Sequence, residues 1–153
     1  MQNTLQNRQQ RAALVQWAAN DNYTHAFTLN TDRELSLAQI RGIFGDFCHR
    51  FDKRVFGTRN VRLLPMDMRL RAIAFPENLT TNAHLHGLAD LSPALAVFGN
   101  EWRLKREFER NWLQCTRGSG SVHLQAEPDE GWPHYCTKHF DGTYFLAADF
   151  HPH

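Results

Sequence analysis

Long apolar runs are missing from this chain. Nothing in its 153 residues approaches the ~20 consecutive apolar positions that a membrane-spanning helix needs. The opening stretch, Met1 to Arg11, is too polar to read as a secretory signal. Cysteine is scarce: Cys48, Cys115 and Cys136 are odd in number and lack zinc-type pairing, so they read as reduced thiols in a cytoplasmic protein. The Asn78-Leu79-Thr80 triplet then carries no glycan message. Repeats, low-complexity tracts and linkers are also absent. The expectation is one domain over residues 1–153, with a core over about 23–150 and an N-terminal helix over about 5–19.

An excess of one charge is missing too, because 17 Lys and Arg face 16 Asp and Glu for a net charge of +1. Taken alone, that balance argues weakly against a nucleic-acid partner. Its distribution argues the other way. Arg41 to Arg71 holds eight Arg or Lys against three Asp, whereas one Lys faces five acids after Ser121. A basic block in a near-neutral chain suits a phosphate-binding face, and a solvated helix flank suits it equally on charge alone.

What is present is ordinary globular material, 42 % hydrophobic and 22 % charged, with legible periodicities. Ser36-Leu37-Ala38-Gln39 is a capping box, and Leu37, Ile40, Phe44, Phe47, Cys48, Phe51 and Val55 follow at spacings of three and four. Phe27 and Leu29 alternate in a strand over 25–30. Arg62 to Pro76 reads as extended with a turn near Pro65-Met66-Asp67. Ser92-Pro93 reads as a helix start, with Ser92 as N-cap, and one helical segment runs on past Trp112 to Gly118-Ser119-Gly120. A strand over 122–126, a short helix over 134–140 and an extended segment over 144–150 complete the pattern. Hairpins without regular strand–helix alternation predict an α+β fold: an antiparallel sheet of about five strands with helices packed on it.

Two clusters carry chemistry. His84 and His86 flank Leu85 in a strand and so share one face. Glu77 lies across a turn-forming stretch, Asn78 to Asn82. A turn centred on Thr80-Thr81 sets Glu77 opposite His84, and one centred on Thr81-Asn82 sets it opposite His86. Both put the three groups on one face at roughly 5–8 Å. Two imidazoles and a carboxylate make a three-ligand site suited to Mn²⁺ or Mg²⁺. In the second cluster, Tyr135 and Lys138 project from one side of a short helix. A phenol with an ordinary pKa near ~10 is a poor nucleophile at neutral pH unless a cation polarises its electrophile. With a phosphate as that electrophile, Lys138 offers it a second positive charge or helps to deprotonate the phenol. The terminal pair His151 and His153 repeats the His-x-His spacing but reads as a mobile tail.

Phe27-Thr28-Leu29-Asn30, then Glu77 with His84-Leu85-His86, then Tyr135-x-x-Lys138 resembles, in order and spacing, the single-tyrosine rolling-circle replication initiators of the HUH endonuclease superfamily. The resemblance spans about Ala26 to Phe140, and Asn30 departs from the threonine usual at the end of the first motif. It implies a five-stranded sheet carrying a divalent metal on its exposed face, with Tyr135 attacking a phosphate of single-stranded or hairpin origin DNA. A 5′-phosphotyrosine and a free 3′-hydroxyl would result, and reversal would rejoin the strand. It further implies a host helicase and polymerase as partners in replicating a plasmid or phage. Arg41, Lys53, Arg54, Arg59, Arg62, Arg69, Arg71, Arg103, Lys105 and Arg106 are the expected phosphate-gripping residues. A related single-tyrosine transposase, or a non-catalytic, domesticated nucleic-acid-binding regulator, would carry the same motifs.

Overall fold

The computed structural model describes residues 3–59 and 61–151. Its sheet comprises β1 (His25–Asn30), β2 (Arg71–Glu77), β3 (His84–Asp90), β4 (Ser121–Ala126) and β5 (Phe145–Leu146), in the spatial order β4-β1-β3-β2-β5. Every neighbouring pair is antiparallel, and the sheet stays open. Five helices accompany it: α1 (Asn3–Asn20), α2 (Leu37–Phe56), α3 (Ser92–Phe98), α4 (Glu101–Cys115) and α5 (Trp132–Cys136). This is the α+β architecture that the hairpin pattern predicts. Among the described residues, no helix is long and apolar enough to cross a membrane.

Strand alternation divides the sheet into two unlike faces. One face offers Phe27, Leu29, Ala72, Ala74, Leu85 and Ala89 to α2 and α4, which return Ile40, Phe44, Phe47, Phe51, Phe108 and Trp112. Phe47 stacks on Phe51 along α2 and meets Phe108 of α4 edge-on, at 4.9 Å between centroids. The predicted capping box starts α2: Ser36 Oγ accepts from the Gln39 amide while the Gln39 side chain accepts from the Ser36 amide. The other face carries Ala26, Ile73, Phe75 and Leu88 under a thinner cover that includes Leu14, Ala18, Trp132, Cys136 and Phe140. Arg11 ties α1 to the end of α5, donating to Thr137 Oγ1 at 3.1 Å. The site residues lie on this second, half-covered face.

Several segments depart from the sequence expectation, each for a local reason. The helix expected to run unbroken from Ser92 splits at Gly99, whose φ of 90° ends α3 in the left-handed region, and Asn100 then caps α4 by accepting from the Arg103 amide. Leu91 holds the α3 N-cap position, and Ser92 bonds Asp90. Residues before β2 form two short 3₁₀ turns, Val61–Leu63 and Met66–Met68, in place of an extended run. The segment closing the chain is a two-residue strand followed by a 3₁₀ turn, Ala147–Phe150. His151 is no tail: it is buried, with Nε2 donating to the Leu70 carbonyl at 3.0 Å and Nδ1 3.6 Å from Asp52. His153 lies outside the described residues.

Candidate metal centre and its tyrosine

The β2–β3 hairpin sets Glu77 opposite His84, which places the turn centre between Thr80 and Thr81. His84 and His86 then stand on the half-covered face of a central strand, both buried. Their Nε2 atoms are 3.2 Å apart. Glu77 Oε2 lies 2.9 Å from one and 2.7 Å from the other.

The far sides of both rings are held. His84 Nδ1 donates to the Asn82 carbonyl at 2.8 Å, which fixes its tautomer and turns the Nε2 lone pair toward Glu77. His86 Nδ1 is 3.0 Å from Thr28 Oγ1 on β1. Three electron-rich atoms thus converge within 3.2 Å, an arrangement that needs a cation among them. A proton or a metal ion meets that need. The nitrogen and oxygen donors, with their outer atoms already bonded, match what a divalent metal requires of its ligands. Glu77, His84 and His86 are the group that can hold a metal ion among the described residues. Burial holds the His86 imidazole below its ordinary pKa. The Glu77 carboxylate opposes that shift, while His84 and Lys138 add to it. A neutral imidazole is the form that binds metal.

Tyr135 arrives from α5. Trp132 anchors that helix by donating Nε1–H to the Gly87 carbonyl of β3 at 3.3 Å, and Cys136 packs beneath it. The Tyr135 ring stands 5.1 Å from the His86 ring at 71°, edge to face, and is 43 % exposed. The helix ends at Cys136, so Lys138 sits in the turn that follows and not one turn along a helix over 134–140, as the sequence suggested. The pairing survives: Lys138 Nζ lies 4.4 Å above the Tyr135 ring centroid. An exposed phenol, a neighbouring ammonium and a metal-ligand cluster therefore share one patch.

The expected phosphate-gripping residues do not share it. Arg41, Lys53 and Arg54 lie on α2, which packs on the sheet face away from the histidines. Arg54 makes a two-pronged ion pair with Glu107 at 2.9 and 3.1 Å. Arg59 and Arg62 are exposed beyond the end of α2, and Arg69 is buried. Arg71 is held by Asp21 and Asp90 and lies over the Tyr23 ring. Arg103, Lys105 and Arg106 are exposed on α4, also on the far layer.

Sequence reasoning assigned no role in the site to three contributors. Thr28 becomes the partner of His86 only through the β1–β3 register. The Asn82 carbonyl is a backbone group without a sequence signature. His139, whose Nε2 is 3.3 Å from Glu77 Oε1, follows Lys138 directly, and that adjacency is the one signal that could have marked it. Compared with protein-family models, with curated protein sequences and with solved structures, the chain matches none of them.

Proposed function

We propose that this chain is a metal-dependent, tyrosine-mediated nickase and strand transferase acting on single-stranded DNA, of the kind that starts rolling-circle replication in the HUH endonuclease superfamily. The observation that carries the proposal is the placement of Tyr135 against His86, with Lys138 Nζ over its ring. Glu77, His84 and His86 would hold Mn²⁺ or Mg²⁺, and when bound that ion would polarise a phosphate oxygen and offset the charge that develops at phosphorus. The chain's own groups do the rest. Thr28 and the Asn82 carbonyl hold the imidazoles in orientation. Tyr135 supplies the nucleophilic oxygen: its bond to phosphorus forms as the bond from phosphorus to the 3′-oxygen breaks, and the phenol's proton ends on that oxygen as the free 3′-hydroxyl. Lys138 would set a positive charge beside the phosphate that Tyr135 attacks. His139 steadies the Glu77 carboxylate.

A denaturing gel tests this reading. Wild-type protein with Mn²⁺ should convert single-stranded DNA into a covalent protein–DNA adduct. Tyr135→Phe, which keeps the ring and removes only the nucleophile, should form none. An adduct of equal yield in Tyr135→Phe would exclude the mechanism.

A further inference from the structure

The outer face of α4, across the sheet from Glu77, His84 and His86, carries a cationic groove with an exposed tryptophan. We infer that it takes the continuation of the strand held at the metal centre. The inference rests on the nickase reading only for the identity of its occupant.

The face follows from helical spacing. Leu104, Phe108, Asn111 and Trp112 turn inward, so Trp102, Lys105, Arg106, Glu109, Arg110 and Leu113 line the opposite side. They border an open groove of about 830 Å³ that reaches Arg117 past the helix end. Four cations face one acid there. Trp102 is 67 % exposed, an unusual setting for an indole, and the Arg106 guanidinium lies 5.3 Å from its ring. An exposed aromatic face among regularly spaced cations suits stacked bases on a phosphate backbone. An acidic peptide would use the charge and leave the indole idle. At about 1.5 Å per residue, Trp102 to Leu113 extends about 16 Å, enough for several nucleotides.

The surface connects to the metal centre around the β4 edge. Asn30 ends β1 with His84 on one side and Ser121 on the other, so the ligands and the start of β4 share one end of the sheet. The turn from α4 to β4 is pinned to that end. A Cβ on Gly120 would fall 2.0 Å from the Asn30 carbonyl, and its φ of 91° is one that glycine accepts readily. Arg33 braces the same turn, donating to Ser119 Oγ at 3.0 Å and to the Thr116 carbonyl. Arg33 and Arg117, both exposed, therefore mark the corner between the two faces.

Binding of oligo(dT) by fluorescence anisotropy in EDTA tests the inference without any chemistry at the metal. The probes are about 6 and about 30 nucleotides long, short and long on the scale of single-strand site sizes. Wild type should bind the long probe more tightly than the short one, beyond the gain from more binding positions. The triple variant Trp102→Ala/Arg106→Gln/Arg110→Gln should lose at least fivefold on the long probe and little on the short one. Its salt slope on the long probe should shrink by about 1.4, two phosphate contacts' worth. Trp102→Phe alone should retain most of the affinity. Equal losses on both probes, or none, would overturn the inference, as would poly-glutamate competing at equal charge with no dependence on Trp102. If the triple variant behaves as stated while wild type forms no covalent adduct, the α4 surface stands and the nickase reading falls.

Discussion

Thr28 Oγ1 sits 3.0 Å from His86 Nδ1, so β1 orients a ring that β3 supplies. The contact crosses the centre of the sheet, where neither strand can shift without breaking its ladder. Thr28→Val keeps the shape and removes the hydroxyl. We expect Mn²⁺ affinity, measured by calorimetric titration, to fall about 10- to 100-fold with little change in thermal stability. Thr28→Ser should restore most of it.

Metal binding should depend on pH in one direction. Burial holds His86 below its ordinary value of 6.5, so at neutral pH its imidazole is free to bind. Below that, protons compete for the ligands and affinity should fall steadily. Titrations of Mn²⁺ at a series of pH values between 5 and 8 check this, and an affinity that rises on acidification would contradict it.

Asp52 gives the fold its own pH signature. Burial raises its carboxyl from 3.8 to about 6, opposed by the Leu70 amide, which donates to it at 2.8 Å, and by Arg69. A folded pKa above the unfolded one means a contribution complete below pH 3.8 and lost as pH rises through about 6. Asp52→Asn keeps the acceptor for Leu70 and cannot ionise. Its stability relative to wild type should therefore improve between pH 4 and 7, by on the order of 2–3 kcal/mol. Denaturant midpoints across that range measure it, and a gap that stays constant would count against a buried, ionising Asp52.

Gly87 separates the histidine-bearing strand from the core by the width of a hydrogen atom. A Cβ there would lie 2.2 Å from the Phe27 ring and 2.3 Å from the Ile73 carbonyl. Gly87→Ala should cost about 3 kcal/mol, read as a lower urea midpoint at unchanged slope. A midpoint equal to wild type would mean that the ring and the strand can both yield.

The sequence reveals the parts of this site that obey local rules. Alternation alone puts His84 and His86 on one face, and turn chemistry brings Glu77 to them. It leaves two registers open, which differ by two residues, so both keep the same face, and which are separated only by the pairing of whole strands. The capping box at Ser36 is legible because both partners lie within one turn. The break at Gly99-Asn100 is missed although glycine and asparagine are strong stop and start signals, because the apolar spacing on either side masks it. Charge shows that the Arg41–Arg71 block is basic and cannot show that α2 turns it away from the histidines. That depends on which face of the sheet its phenylalanines choose. His151 looks like a loose end because its partners, Leu70 and Asp52, are far away in sequence.

The central claim joins one phenol to one metal cluster, and mapping of the covalent adduct tests it most directly. Wild-type protein would be incubated with single-stranded DNA and Mn²⁺, digested with nuclease and protease, and read by mass spectrometry. The account predicts a nucleotide attached through phosphate to the Tyr135 peptide, lost in His86→Ala. Attachment at Tyr144 or Tyr23, or cleaved DNA with no protein-linked nucleotide, would contradict it.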